Sequence, residues 1–361
     1  MKKFVCCLLI STIMLNTSAQ NKLSENIVIV TMDGLRWQEV FGGADSLLTF
    51  DTTAKYSIRY VQKNFWARTA TERREKLMPF FWSELASKGV LLGNRNYGNY
   101  FNNANPYWFS YPGYNEIFTG YPDTAVNSND KIPNKNETVF EYLNKLPEYK
   151  GKVVVFGSWD VFASIFNEGR SGLLVNDGFR DLPGQLTAKQ KIFNELQHEM
   201  PDLFHGGERL DAATFNIAFE YMKIHKPKLI FFGLGDTDEF AHKGMYDYYL
   251  DAAKKSDLWI GRIWDYIQST PGYKDKTTLI VTTDHGRGLA EEGNWKHHGQ
   301  RIAEASEMWM AAIGPSVAPE GESKRKAQNF QGQIAATIAK LLGKEFKPAH
   351  QALPALNLHA E

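Results

Sequence analysis

The chain has 361 residues carrying 41 basic and 41 acidic side chains, a formal net charge of zero. A chain of this length can bury a large core without covalent staples, and a neutral balance with no basic stripe predicts no nucleic-acid-binding surface. The two cysteines, Cys6 and Cys7, sit side by side near the start, which excludes a disulfide framework or a thiolate metal site for everything downstream.

Taken in chain order, Met1-Lys2-Lys3, the apolar run from Phe4 to Leu15 and Thr17-Ser18-Ala19 have the charged, apolar and small-residue regions of a secretory signal, with cleavage expected after Ala19. The apolar run is too short to span a bilayer comfortably. Neither cysteine follows the small-residue box that precedes a lipid-anchored one. The expectation is an exported chain, periplasmic or secreted, without a membrane anchor, whose residues 20–361 form a single domain.

Beyond the signal, short β-branched or apolar runs near 27, 153, 229, 279 and 308 read as buried strands. Helical patterns alternate with them at Met78 to Lys88, Glu137 to Leu146, Leu210 to His225, Tyr249 to Ser269 and Gln333 to Leu342. This alternation predicts an α/β fold, a doubly wound and mostly parallel sheet sandwiched by helices. The polar segments Asp45 to Arg74 and Asn167 to His205 interrupt it and are expected to form a small cap beside the site.

The informative residues stand at the ends of the apolar runs. Asp33 follows Ile27 to Met32, Asp238 and His242 follow Leu229 to Leu234, Asp284 and His285 follow Leu279 to Val281, and His298 comes last. In an open α/β sheet that edge is where ligands bind. A lone aspartate after a strand is ordinarily a turn or cap residue, but an ordered set of carboxylates and imidazoles is a metal-ligand set. The four-residue offset from Asp238 to His242 puts both on one helical face. Six ligands exceed one tetrahedral zinc site and suit two divalent ions, zinc first and manganese second.

These motifs resemble those of the alkaline phosphatase superfamily, in particular its nucleotide pyrophosphatase/phosphodiesterase and bacterial phosphatase branches, and the resemblance spans nearly the whole mature chain. It rests on Thr31-Met32-Asp33-Gly34, on Ser110 to Pro122 with its closing Thr119-Gly120-Tyr121-Pro122, on Asp238 to His242, on Asp284-His285-Gly286 and on His298-Gly299. The resemblance implies Ser110 as the nucleophile. It implies Asp238, His242 and His298 as ligands of one ion, and Asp33, Asp284 and His285 as ligands of the other. Asp236 and His297 compete with two of these; the offset to His242 selects Asp238, and the family's His-Gly pair selects His298. An asparagine that binds a phosphate oxygen in phosphodiesterase relatives is matched by Asn129 or Asn127.

The departures bear on the substrate. Sulfatases of this superfamily place an arginine four residues after the nucleophile, where this chain has Tyr114, so sulfate-ester hydrolysis is disfavoured. Monoesterase relatives place Lys and Arg after the central strand, where this chain reads Gly157-Ser158-Trp159-Asp160. Without that cation a dianionic monoester loses charge-assisted bonds, and Trp159 offers a stacking face instead. The expected substrate is a small-molecule phosphoric ester, a diester ahead of a monoester. A sulfatase-like hydrolase and a non-catalytic binding protein of the same fold are the remaining alternatives.

Overall fold

A computed structural model describes residues 23–358; the signal segment lies outside them. Ten strands are present among the described residues: β1 Asn26–Met32, β2 Val90–Leu92, β3 Asn99–Asn102, β4 Val153–Gly157, β5 Leu174–Asp177, β6 Leu229–Leu234, β7 Thr277–Thr282, β8 Met310–Ile313, β9 Gly321–Glu322 and β10 Ala327–Phe330. Eight of them form one sheet in the order β5-β4-β6-β1-β7-β8-β2-β9, while β3 and β10 pair separately. The five strands β5, β4, β6, β1 and β7 are parallel. On the far side β8 runs antiparallel to both β7 and β2, so the mostly parallel expectation holds with one reversed strand.

The continuous apolar character of β1, β6 and β7 follows from burial on both faces. Val28, Val30 and Met32 of β1 point into one half of the core, with Phe215, Met222, Leu250 and Ile260. Ile27 and Ile29 point into the other half, with Ile117, Phe118, Phe140 and Ile338. The helices Asp211–His225 and Tyr246–Ser269 therefore cover one face, and Ser110–Thr119, Val139–Asn144 and Gln333–Leu341 cover the other. No helix among the described residues is long and apolar enough to cross a membrane.

The first polar segment folds as three short helices, Ser46–Thr49, Ile58–Asn64 and Ala70–Leu77. The last begins with a capping box between Thr69 and Glu72. The helix expected from Met78 to Lys88 is a π-helical stretch, Phe81–Leu85, followed by one short turn. Asp257 accepts the backbone N–H groups of Phe80 and Phe81 at its start. The second polar segment supplies the edge strand β5 and the helix Ala188–Glu199, which packs on Asp211–His225.

Candidate functional site

The strand register brings the site together. Met32 stands level with Leu234, and Thr31 with Thr282, so the residues that follow β1, β6 and β7 emerge side by side at one sheet edge. Asp33 donates its backbone N–H to Leu234 at 2.9 Å, and its carbonyl accepts from Thr237 Oγ1 at 2.6 Å. Helix Asp236–His242 starts directly after β6. Asp236 turns away to accept the Asp211 N–H at 3.0 Å, leaving Asp238 and His242 on the site face.

Two groups of ligand atoms result, each within 4.8 Å: Asp33, Asp284 and His285, and Asp238, His285 and His298. His242 adjoins the second group, its Nε2 3.0 Å from Asp238 Oδ2 and 2.9 Å from His298 Nε2. All six expected ligands are thus together. His285 stands between the groups, its ring stacked on that of His298 with centroids 4.0 Å apart. His297, the rejected alternative, is exposed.

The donor chemistry fits divalent cations. Asp33 Oδ1, Asp284 Oδ2 and His298 Nδ1 are buried atoms without a hydrogen-bond partner, and buried polar atoms are rarely left so. The remaining atoms are held in place. Gly34 N–H donates to Asp284 Oδ1 at 3.2 Å, Asn103 donates to the Asp284 carbonyl at 2.9 Å, and the Tyr114 hydroxyl donates to Asp33 Oδ2 at 3.0 Å. His285 Nδ1 lies 2.9 Å from the Gly286 carbonyl, an arrangement that orients the ring and leaves Nε2 facing the carboxylates.

Crowded charge shows in the protonation equilibria. Burial, and then the neighbouring Asp33, raise the Asp284 carboxyl well above the usual range. Burial opposes charge on His285, yet Asp284, Asp33 and Asp238 raise its pKa to about 9. Burial also disfavours charge on Asp238, but Arg287, His298 and His242 outweigh it and hold that carboxyl well below its usual range. Arg287, two residues after His285, was not anticipated from the sequence as a partner of Asp238; its guanidinium sits directly on Asp238 Oδ1.

Ser110 is the first residue of helix Ser110–Thr119 and is 7% exposed. Its Oγ lies 3.4 Å from His285 Nε2. The helix approaches so closely that a Cβ on Gly113 would collide with the Asp284 carbonyl oxygen. Asn129 Oδ1 accepts the N–H of Tyr111, the residue after Ser110, at 3.0 Å, which puts its amide at the entrance beside Ser110. Asn127 lies further out, in a groove with Tyr111, Val126 and Ile132. Trp159 is half-buried, edge-on to Phe162 with centroids 6.3 Å apart, while Ser158 points inward to Asp211 and Thr214. Sequence reasoning did not anticipate Glu208, which is buried opposite Trp159; its position comes from long-range strand pairing and leaves no local signal.

A profile of the Sulfatase family matches residues 25–344. The chain belongs to the Sulfatase family, within the alkaline phosphatase superfamily. Among solved structures, wild-type alkaline phosphatase PafA matches with a TM-score of 0.60 and 11% identity, over 93% of this chain and 98% of that one. The lipoteichoic acid synthase LtaP from Listeria monocytogenes matches with a TM-score of 0.56 and 14% identity, over 91% and 73%. The soluble domain of lipooligosaccharide phosphoethanolamine transferase A from Neisseria meningitidis gives 0.51 and 10%, over 89% and 88%. No curated protein matches the chain. The fold is thus the alkaline-phosphatase-like one, and members of the superfamily are hydrolases or transferases of phosphate or sulfate esters.

The Gly113 contact yields a direct test. Gly113→Ala should force the Ser110–Thr119 helix off the Asp284 loop and cost about 1–3 kcal/mol of stability, read from urea denaturation. Unchanged stability would mean that the close approach does not exist.

Proposed function

We propose that this protein is an exported, two-metal phosphoric-ester hydrolase, a phosphodiesterase with Ser110 as its nucleophile. The observation that supports this most directly is the convergence of two ligand groups on His285, with Ser110 Oγ 3.4 Å from the same imidazole. Asp33, Asp284 and His285 would hold one ion beside Ser110, and Asp238, His242 and His298 the other. Two such ions, when bound, lower the pKa of a hydroxyl nucleophile and neutralise charge on the phosphoryl and leaving oxygens.

The chain's own residues supply the rest. Ser110 Oγ attacks phosphorus and displaces one alcohol, which leaves with the serine proton, giving a phosphoseryl adduct that still carries the second ester group; water then cleaves the Oγ–P bond, releasing the monoester and restoring the hydroxyl. The helix N-terminus carries backbone N–H groups that favour an anionic phosphoryl group. Asn129, whose Oδ1 accepts the Tyr111 N–H, would donate from its amide nitrogen to a non-bridging oxygen. Export follows from the Met1 to Ala19 signal.

The preference for a diester rests on how three of the nearby cations, Arg36, Arg287 and Lys131, are engaged. Arg36 is locked to Glu39 and to the Gly288 carbonyl, Arg287 sits on Asp238, and Lys131 Nζ lies 2.5 Å from Asp160 Oδ2. A second phosphate charge would find these donors already committed.

Four outcomes are expected. Chelation should abolish turnover and zinc or manganese restore it. Because His285 is charged below about 9 in the ion-free protein, zinc binding at neutral pH should release protons and tighten as pH rises towards that value. Calorimetry in buffers of different ionisation enthalpy reads this, and a buffer-independent enthalpy would contradict it. Ser110→Ala should keep the metal content measured by mass spectrometry while lowering kcat by at least about 10³-fold; near-normal turnover would assign the attack to water. Chromogenic diesters should show a higher kcat/KM than the matching monoesters or sulfates, and the reverse order would replace the diester assignment.

A further inference from the structure

Glu208 is the one carboxylate near the site that neither the ligand groups nor the backbone explains. It is 8% exposed, and among the described residues no hydrogen bond or ion pair reaches its carboxylate. Its Oε1 lies over Gly235, three residues before Asp238, so closely that a Cβ at Gly235 would overlap it. Asp211, its neighbour, is accounted for: it accepts the N–H groups of Gly235 and Asp236 at 2.7 and 3.0 Å and the Ser158 hydroxyl at 2.6 Å. Glu208 is also absent from both groups of convergent ligand atoms, so ions held there do not account for it.

The Glu208 oxygens are not among the fully buried atoms that lack a partner, so they keep a path to solvent, yet a carboxylate this enclosed and unpaired is costly. Burial, and then Glu239, Asp33, Asp211 and Asp238, push the Glu208 carboxyl well above its ordinary range, a field that a cation would relieve. Three cations of the surrounding segments are engaged elsewhere. Lys243 lies 3.7 Å from Glu239, Lys131 pairs with Asp160, and Arg209 binds Gln197, Thr214 and Asn176. The antiparallel bridge between Glu208 and Trp159 puts their side chains on one face. An aromatic ring beside a carboxylate is the pairing that receives alkylammonium groups.

We propose that one ester group of the substrate carries an alkylammonium, held between the Glu208 carboxylate and the Trp159 ring. This rests on the phosphodiesterase reading above and names the substrate class that this side of the site selects.

The test uses the metal-loaded enzyme and two nitrophenyl phosphodiesters of the same shape: 4-nitrophenyl phosphorylcholine and 4-nitrophenyl 3,3-dimethylbutyl phosphate, in which carbon replaces the quaternary nitrogen. The choline ester should have a kcat/KM at least about tenfold higher, equivalent to roughly 1.4 kcal/mol. Glu208→Gln should bring that ratio to about one while both ions remain bound, and Gly235→Ala should lower it by displacing the carboxylate. A ratio near one in the unmodified enzyme, a ratio unchanged in Glu208→Gln, or the loss of an ion in that variant would each overturn the proposal, the last by making Glu208 a metal ligand. If neither diester is hydrolysed, the phosphodiesterase reading fails. The charge preference is then decided by calorimetric binding of phosphocholine against 3,3-dimethylbutyl phosphate, where equal Kd values overturn it and tighter phosphocholine binding sustains it.

Discussion

The site depends on holding like charges together. Asp33, Asp238 and Asp284 converge at one sheet edge, and two carboxylates about 4 Å apart repel by about 4 kcal/mol at an effective dielectric near 20. The fold holds them because each is anchored through its backbone to one of three adjacent parallel strands, in the order β6-β1-β7. Local chemistry offsets part of the repulsion: His285 between the two groups, Arg287 on Asp238, and the Tyr114 hydroxyl on Asp33. A deeper layer fixes the loop that carries His285 and Arg287. Arg36 donates to the Gly288 carbonyl at 3.0 Å while paired with Glu39, and the Tyr246 hydroxyl donates to the same Glu39. Such an edge is a poor place for neutral side chains and a good one for divalent cations.

Burial grades across the site. Asp284 and His285 are fully buried, Asp33 and Ser110 nearly so, and His242 is open to solvent. Ser110 therefore lies in the drier part of the site, where hydrogen bonds and charges count for more, and the cluster of carboxylates and imidazoles reaches solvent on the His242 side. On the β4 flank stand Trp159 and Glu208, on the helix flank Asn129. Tyr114, where the resemblance to sulfatases would put an arginine, donates its hydroxyl to Asp33 at 3.0 Å, so that side chain is engaged with one of the clustered carboxylates.

Much of this was legible in the sequence because it is written locally. Parallel strands buried on both faces appear as unbroken runs such as Ile27 to Val30, and Asp33, Asp238, Asp284 and His285 follow such runs directly. What escaped is non-local. β2, β5 and β9 are two to four residues long and exist through pairing with neighbours, and the reversed β8 is apolar in the same way as the parallel strands, so direction leaves no trace in composition. The Met78 to Lys88 pattern predicted one helix, whereas Asp257, 177 residues from Phe80, caps a π-helical stretch there. Arg287 could not be placed on Asp238 from the sequence, and Glu208 could not be found at all, since it reaches the site through its bridge to Trp159 and its packing over Gly235.

The central claim is a covalent relay through Ser110, and stereochemistry at phosphorus tests it most directly. A phosphorothioate diester of known chirality, hydrolysed in oxygen-18 water by the metal-loaded enzyme, passes through two in-line displacements if a phosphoserine forms. Each displacement inverts the centre, so the account predicts net retention of configuration. Net inversion would mean a single attack by water and would contradict it.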